Sequence, residues 1–404
     1  MKVAIISSYC LDSTMPLAMH LQEQNIIVSL YGILPNYNQN SFVIDFSKKK
    51  QPNGFVNENI LKKQMGAGLC QYLKKITTKI FIYPAGAGKR AFLNDIFQAW
   101  KFSNYIIKSN FEVVHFIHTA NRFSLLLMYF LRKQNIVQTL HEVTAHSGDK
   151  NSFDEKILCQ LIKKNIPIIF NSNISKERFI QYRSALTSSF LDENKYKMIR
   201  FSLYETYLHF VPETKIVNNP DSKKNIPIIL HFGRIVPYKG IDILIDAIKI
   251  IQKSQPVHLI VAGGGDAYFN FDNIDSYEFL NYSISNEEIV ELIKNCSIVV
   301  CPYRSASQSG IPMTVYPFNK PIIASNTGGF KEIIDDGITG LLVNDIDGYS
   351  FALAIKRLLN NKDLYNTICS NINIKFNQGE FSWQNIAKHT ADFYKLSMIK
   401  NKIL

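Results

Sequence analysis

The chain has 404 residues, 46% of them hydrophobic, and a formal net charge of +12 at pH 7. That length supports two ordinary domains with a core each, and the apolar content without low-complexity tracts argues against disorder. Six cysteines (Cys10, Cys70, Cys159, Cys296, Cys301 and Cys369) stand apart with no CxxC pair, which argues against a zinc or disulfide framework.

The charge is uneven. Residues 1–200 hold 26 Lys+Arg against 13 Asp+Glu, and residues 201–404 hold 19 against 20. An excess of this kind suits an acidic partner: nucleic acid, an anionic membrane surface or an anionic substrate. No nucleic-acid recognition motif accompanies it, so nucleic acid is set aside.

In chain order, 1-MKVAIISSYCLD-12 reads as a first strand rather than a signal peptide. Further strands are predicted at 26–33, 79–85, 112–118, 136–142, 167–172 and 197–203, with helical patterns at 60–76 and 153–165. The paired lysines of 60–76 flank Ile60, Leu61, Met65, Leu69, Tyr72 and Leu73. Such a helix either lies on a membrane surface or packs into a core with a solvated charged face. The apolar run 123-FSLLLMYFL-131 is too short to cross a bilayer. The expected location is cytoplasmic, at the inner face of the plasma membrane, with peripheral contact to anionic lipid through the basic half. A P-loop reading of 84-PAGAGKRA-91 fails, because Tyr83 and Arg90 stand where glycine and Ser/Thr are needed.

The second half continues the alternation. Strands are predicted at 226–232, 257–263, 276–281, 297–302, 321–325 and 340–343, and helices at 241–254, 286–295 and 349–361. Apolar strands alternating with helices mean parallel sheets covered on both faces. The expectation is α/β with two Rossmann-like doubly wound domains facing across a cleft: 1–210, 211–385, and a last helix at 386–404 packing back towards the first.

One stretch carries the chemistry. In 230-LHFGRIVPYKG-240, Gly233 and Arg234 break a buried strand, and Lys239 and Gly240 open the next helix. An arginine fork, a lysine and free helix amides make a diphosphate cradle that needs no metal. A solvated loop with incidental charges is the plainer alternative. In 301-CPYRSASQSGIPMTVYPFNKPIIASNTGG-329, Ser309 and Gly310 precede a proline-started helix and offer further amides, and 326–329 forms another close-approach loop.

These residues resemble the retaining glycosyltransferases of family 4, which have the GT-B fold. The resemblance runs over 226–396 and includes Gly233-Arg234 with Lys239-Gly240, the 261-VAGGGD-266 turn with Gly264, and 321-PIIASNTGGFKEIIDDGITGLLV-343. The family's two donor-loop glutamates fall on Ala306 and Thr314, so this chain resembles the branch with a Ser-Gln-Ser-Gly loop. The resemblance implies a hexosyltransferase moving sugar from a nucleotide-diphosphate donor, UDP-linked, to a saccharide or lipid-linked saccharide in bacterial surface polysaccharide synthesis, without metal or other cofactor. The implied donor residues are Gly233, Arg234, Lys239, Gly264, Ser309, Gly310 and Thr314. Arg234 and Lys239 are also the implied catalytic cations, with His118 as the catalytic histidine at a strand end on the acceptor side. In 141-HEVTAHSGD-149, His141, Glu142 and His146 read as acceptor contacts, since histidines five apart fit zinc poorly. The alternative is a non-catalytic nucleotide-sugar-binding relative. A dinucleotide oxidoreductase would need a GxGxxG that neither 7–13 nor 263–268 supplies.

Overall fold

The structure is a computed structural model, and it describes the chain except residues 9, 42, 86–88, 118–120, 141–151, 187–192, 211–225, 306–308 and 402–404. The chain divides into two compact units: Met1–Ser202 with Glu380–Leu404, and Leu203–Gly379.

The first unit opens with β1 (Lys2–Ser7), α1 (Leu11–Glu23), β2 (Ile27–Pro35), β3 (Gly54–Phe55), α2 (Glu58–Tyr72) and β4 (Thr77–Tyr83). It continues with α3 (Lys89–Lys108), β5 (Val113–Ile117), α4 (Arg122–Phe130) and β6 (Ile136–Leu140), then α5 (Ser152–Lys163), β7 (Ile168–Phe170), α6 (Asn173–Leu186) and β8 (Tyr196–Met198). The sheet order is β3-β4-β2-β1-β5-β6-β7-β8, parallel except for the β3–β4 pair. Strands β1 and β5 lie side by side in register Val3↔Val113. Their runs of Val, Ile and Ala are buried on both faces, as strands covered by helices require. An aromatic core of Tyr31, Phe81, Phe102, Phe116, Phe123 and Phe170 fills the space under the helices.

The second unit comprises β9 (Ile228–Phe232), α7 (Ile241–Gln252), β10 (His258–Ala262), β11 (Tyr277–Leu280), α8 (Asn286–Asn295) and β12 (Ile298–Cys301). After these come α9 (Ile311–Val315), β13 (Ile322–Ser325), α10 (Phe330–Ile333), β14 (Leu341–Val343), α11 (Gly348–Asn360) and α12 (Lys362–Asn377). Its sheet is wholly parallel in the order β11-β10-β9-β12-β13-β14. Helix α7 buries Ile241, Leu244, Ile248 and Ile251, one stripe at helical spacing. Helix α8 starts at a capping box between Ser285 and Glu288.

The unit boundaries fall earlier than the sequence placed them, at 202/203 and 379/380 rather than 210/211 and 385/386. Residues from 203 side with the second unit because the Tyr204 amide donates to the Met313 carbonyl at 2.8 Å. The return begins early because Phe381 and Trp383 are already buried in the first unit, where Trp383 stacks on His20 and Arg200 lies over Phe381. The last helix, α13 (Trp383–Asn401), therefore belongs to the first unit. His115, inside β5, ties it there: its Nδ1 meets the Tyr394 hydroxyl and its Nε2 the Thr139 hydroxyl, each at 2.7 Å. Burial holds the His115 imidazole down to about 3, so it is a neutral structural group.

The membrane-surface reading of residues 60–76 is corrected. The left-handed Gly66 kinks α2, and Leu61, Met65, Leu69 and Leu73 are all buried while the lysines face water. This is the core-packed alternative.

Candidate functional site

In an open parallel sheet, loops on either side of the point where strand order reverses leave a crevice at the carboxyl ends. In the second unit that point lies between β9 and β12. The loops leaving those two strands are 233–240 and 302–310, the two stretches the sequence singled out.

Lys239 ends a short 3-10 turn, Pro237–Lys239, and folds back beneath the loop. Its Nζ lies so close to Gly233 that a Cβ there would sit 2.5 Å away. Gly233 also holds a φ of +116°, a conformation that side-chain-bearing residues rarely adopt. Gly240 is left-handed at φ +66°, and a Cβ on it would come within 2.0 Å of the Pro302 carbonyl. The two crevice loops thus touch backbone to backbone. The 263–265 turn joins them, with the Ile235 amide donating to the Gly264 carbonyl at 3.0 Å.

Lys239 is 8% exposed, and its ammonium lies 5.1 Å from the centre of the Tyr303 ring. Burial lowers it to about 8, with further lowering from Arg234. An ammonium held out of water with one aromatic face for company favours an incoming anion. Arg234 is exposed on the same loop, and among the described residues it forms no ion pair. One deep cation and one at the rim is a suitable arrangement for two linked phosphates.

Beneath the loops lie polar atoms without partners among the described residues. His231 donates from Nδ1 to the Val300 carbonyl at 2.9 Å and leaves Nε2 buried and unbonded. Burial, aided by Lys239, holds this ring down to about 3. Ser325 Oγ and Thr327 Oγ1, at the end of the adjacent β13, are likewise buried and unbonded. The Tyr303 hydroxyl approaches Ser309 without a well-formed hydrogen bond. Buried polar atoms without partners are few in native proteins, and here several gather at neighbouring strand ends.

Two groups singled out in the sequence already have partners within the second unit. At the start of α7 the Ile241 amide donates to the Tyr268 hydroxyl at 3.0 Å, and the Asp242 carboxylate lies in the first turn, forked by Arg304. One bonded amide and a carboxylate in the first turn leave less of this helix start for an incoming anion. The Thr314 hydroxyl donates to the Gly310 carbonyl at 3.1 Å within α9, which leaves its oxygen able to accept. Ser309 and Gly310 do border the crevice, Gly310 exposed and packed near the Tyr204 ring.

Arg304 escaped the sequence reading. It forks onto Asp242 and donates to the Pro237 carbonyl at 2.7 Å, while its amide donates to the Tyr238 carbonyl at 2.8 Å. It braces the turn that carries Lys239. No sequence signal links residues so far apart. His118, Ala306, His141, Glu142 and His146 lie outside the described residues. Strand β5, which ends at Ile117, borders the reversal point between β1 and β5 of the first sheet. A separate cavity of about 410 Å³, lined by Ile226, Gln252 and Asp275 among others, opens at the amino ends of the second sheet, away from this chemistry.

Residues 226–361 match the family described as Glycosyl transferases group 1. An uncharacterized glycosyltransferase of Methanocaldococcus jannaschii is 31% identical over 172 residues, covering 41% of this chain and 47% of that protein. The capsular polysaccharide biosynthesis glycosyltransferase CapM of Staphylococcus aureus is 26% identical over 56% of this chain and 58% of its own length. The chain spans about half the length of the first of these curated relatives. A glycosyltransferase of Rickettsia africae superposes with a TM-score of 0.64 at 19% identity, covering 99% of each chain. Anabaena HepE, in complex with UDP-glucose, superposes with a TM-score of 0.61 at 16% identity, covering 98% of this chain and 99% of HepE. These structures show the fold: two parallel-sheet α/β units of the GT-B type.

Proposed function

We propose that this chain is a glycosyltransferase that moves a hexose from a nucleotide-diphosphate sugar, UDP-linked, to a saccharide or lipid-linked saccharide in surface polysaccharide synthesis. One observation carries the reading. A buried lysine and an exposed arginine, neither in an ion pair among the described residues, share one glycine-bounded loop at the sheet's reversal point. The match over 226–361 supports it. So does the likeness to CapM, a capsular polysaccharide biosynthesis glycosyltransferase, and to HepE, whose structure is in complex with UDP and glucose.

Breaking the anomeric bond leaves negative charge on the departing diphosphate. Lys239 and Arg234 stabilise that charge more in the transition state than in the bound donor. Loss of either cation costs about 2–4 kcal/mol of barrier, the scale of one preorganised contact. The reading assigns this neutralisation to the two side chains rather than to a metal ion. His118 is assigned to the acceptor hydroxyl, together with His141, Glu142 and His146. Retention of anomeric configuration rests on the family resemblance.

A second reading, a binding protein without turnover, is favoured by one feature. Ala306 and Thr314 stand where family members carry carboxylates, and the Thr314 hydroxyl donates its proton to Gly310. Thermal shift with UDP, GDP and ADP on the native chain and on Arg234→Ala tests what both readings share. Stabilisation by one nucleotide that the variant loses supports the cradle, and no shift with any nucleotide removes it.

A further inference from the structure

Helix α3 presents to solvent what most helices bury. Its 20 residues span about 30 Å. One face buries Ala99, Phe102, Ser103 and Ile106 in the core of the first unit. The opposite face exposes Leu93 (66%), Phe97 (55%), Trp100 (49%) and Ile107 (39%). Spacings of four, three and seven put these four on one stripe along the whole helix. The Phe97 and Trp100 rings stack at 6.1 Å, and Phe92, 42% exposed, flanks the stripe to one side, under the Arg122 guanidinium.

Charge follows the stripe. Arg90, Lys101 and Lys108 are exposed, and steps of eleven and seven residues place them in one row beside the apolar stripe. The sole acid of α3, Asp95, is buried and bonded to Arg122. The exposed side therefore carries aromatic and cationic groups with no anion of its own, in the half of the chain that holds all the excess positive charge.

We propose that α3 is a membrane-docking helix that lies in the plane of an anionic bilayer surface. Leu93, Phe97, Trp100 and Ile107 enter the headgroup boundary, and Arg90, Lys101 and Lys108 meet the lipid phosphates. An apolar face rich in aromatics beside a basic row is the pattern of interfacial helices, whose apolar side sinks about 5–10 Å into that boundary. Tryptophan favours the same depth, with its ring in the apolar layer and its N–H in the wet one. The occupant is anionic because the row beside the stripe is wholly cationic. The proposal places the contact on α3, not on the core-packed α2, and stands independently of the sugar-transfer reading.

The chain supplies its own reporter. It has two tryptophans, and Trp383 is 2% exposed, so a change in emission on binding belongs to Trp100. The full chain is mixed with phosphatidylcholine vesicles, with and without phosphatidylglycerol, and tryptophan emission and co-sedimentation are followed. The expected result is a blue shift with the anionic vesicles, quenched by lipids brominated along the chains. It disappears in Leu93→Asp/Phe97→Asp, whose exposed positions leave the core intact. Lys101→Glu/Lys108→Glu weakens partitioning at least about tenfold, each surface cation contributing about fivefold. Binding without a blue shift, abolished by salt, would overturn insertion. Failure to bind vesicles would overturn the proposal outright. If Leu93→Asp/Phe97→Asp then changed the sedimentation mass, the stripe would be a contact between copies of the chain.

Discussion

Lys239→Met separates what the site does for binding from what it does to stability. In the native chain the ammonium is held at about 8 instead of 10.5, chiefly by burial. That difference corresponds to about 3 kcal/mol of strain on the charged form at neutral pH. Methionine fills much the same volume without a charge, and gives up the cation–π contact with Tyr303, about 0.5–2 kcal/mol. The net expectation is a gain of about 1–3 kcal/mol in the second unit. For a unit of this size that is a Tm rise on the order of 2–10 °C. The sign follows from the lowered folded-state value. The unfolded chain holds the proton more tightly, so the strain is full below about pH 8 and fades as pH rises towards 10.5. Thermal unfolding of both chains at neutral and at high pH measures it, with UDP titrated in parallel. The variant unfolds later at pH 7, matches the native chain near pH 10.5, and gains nothing from UDP. A variant that unfolds earlier at pH 7 would refute the reasoning, because the ammonium would then be well satisfied without a ligand.

Three further outcomes follow from the geometry. Gly240→Ala forces a Cβ against the Pro302 carbonyl at a left-handed residue, whereas Gly337, at φ +73°, has open space around it. Denaturant unfolding should show the first losing on the order of 3 kcal/mol or more and Gly337→Ala only about 1, and equal losses would contradict the contact. His115 and His231, both held near 3 by burial, each make their unit less stable as pH falls below about 6.5, by about 1.4 kcal/mol per pH unit. Acid titration of unfolding in His231→Phe should flatten that slope for the second unit alone. Binding of a diphosphate restores charge to Lys239, so calorimetry at pH 8–9 in buffers of different ionisation enthalpy should detect proton uptake on UDP binding, and none in Lys239→Met.

The strands were legible because a parallel strand covered on both faces has to be an unbroken apolar run, and β1, β5, β9 and β12 are such runs. The two-residue β3 was missed because so short a pairing leaves no pattern. Pro16 inside α1 and the polar surface of α12 hid those helices. The cradle was legible because backbone strain and charge both leave marks in the sequence: Gly233 and Gly240 at left-handed turns, Lys239 and Arg234 between them. What surrounds the start of α7 was not, because Tyr268, Asp242 and Arg304 come together only when three strands are laid side by side. The apolar pattern of 60–76 fitted a membrane face and a buried face equally, and only packing distinguishes them. For α3 the packing gives the opposite answer.

The most direct test of glycosyl transfer is release of the nucleoside diphosphate from candidate nucleotide sugars, followed by chromatography with the native chain, Arg234→Ala and Lys239→Met. The account predicts slow release from one UDP-sugar by the native chain, accelerated by a saccharide acceptor and reduced at least about thirtyfold in each variant, the lower end of about 2–4 kcal/mol. A native chain that binds the donor yet releases no diphosphate with any acceptor would contradict catalysis and leave a nucleotide-sugar-binding protein.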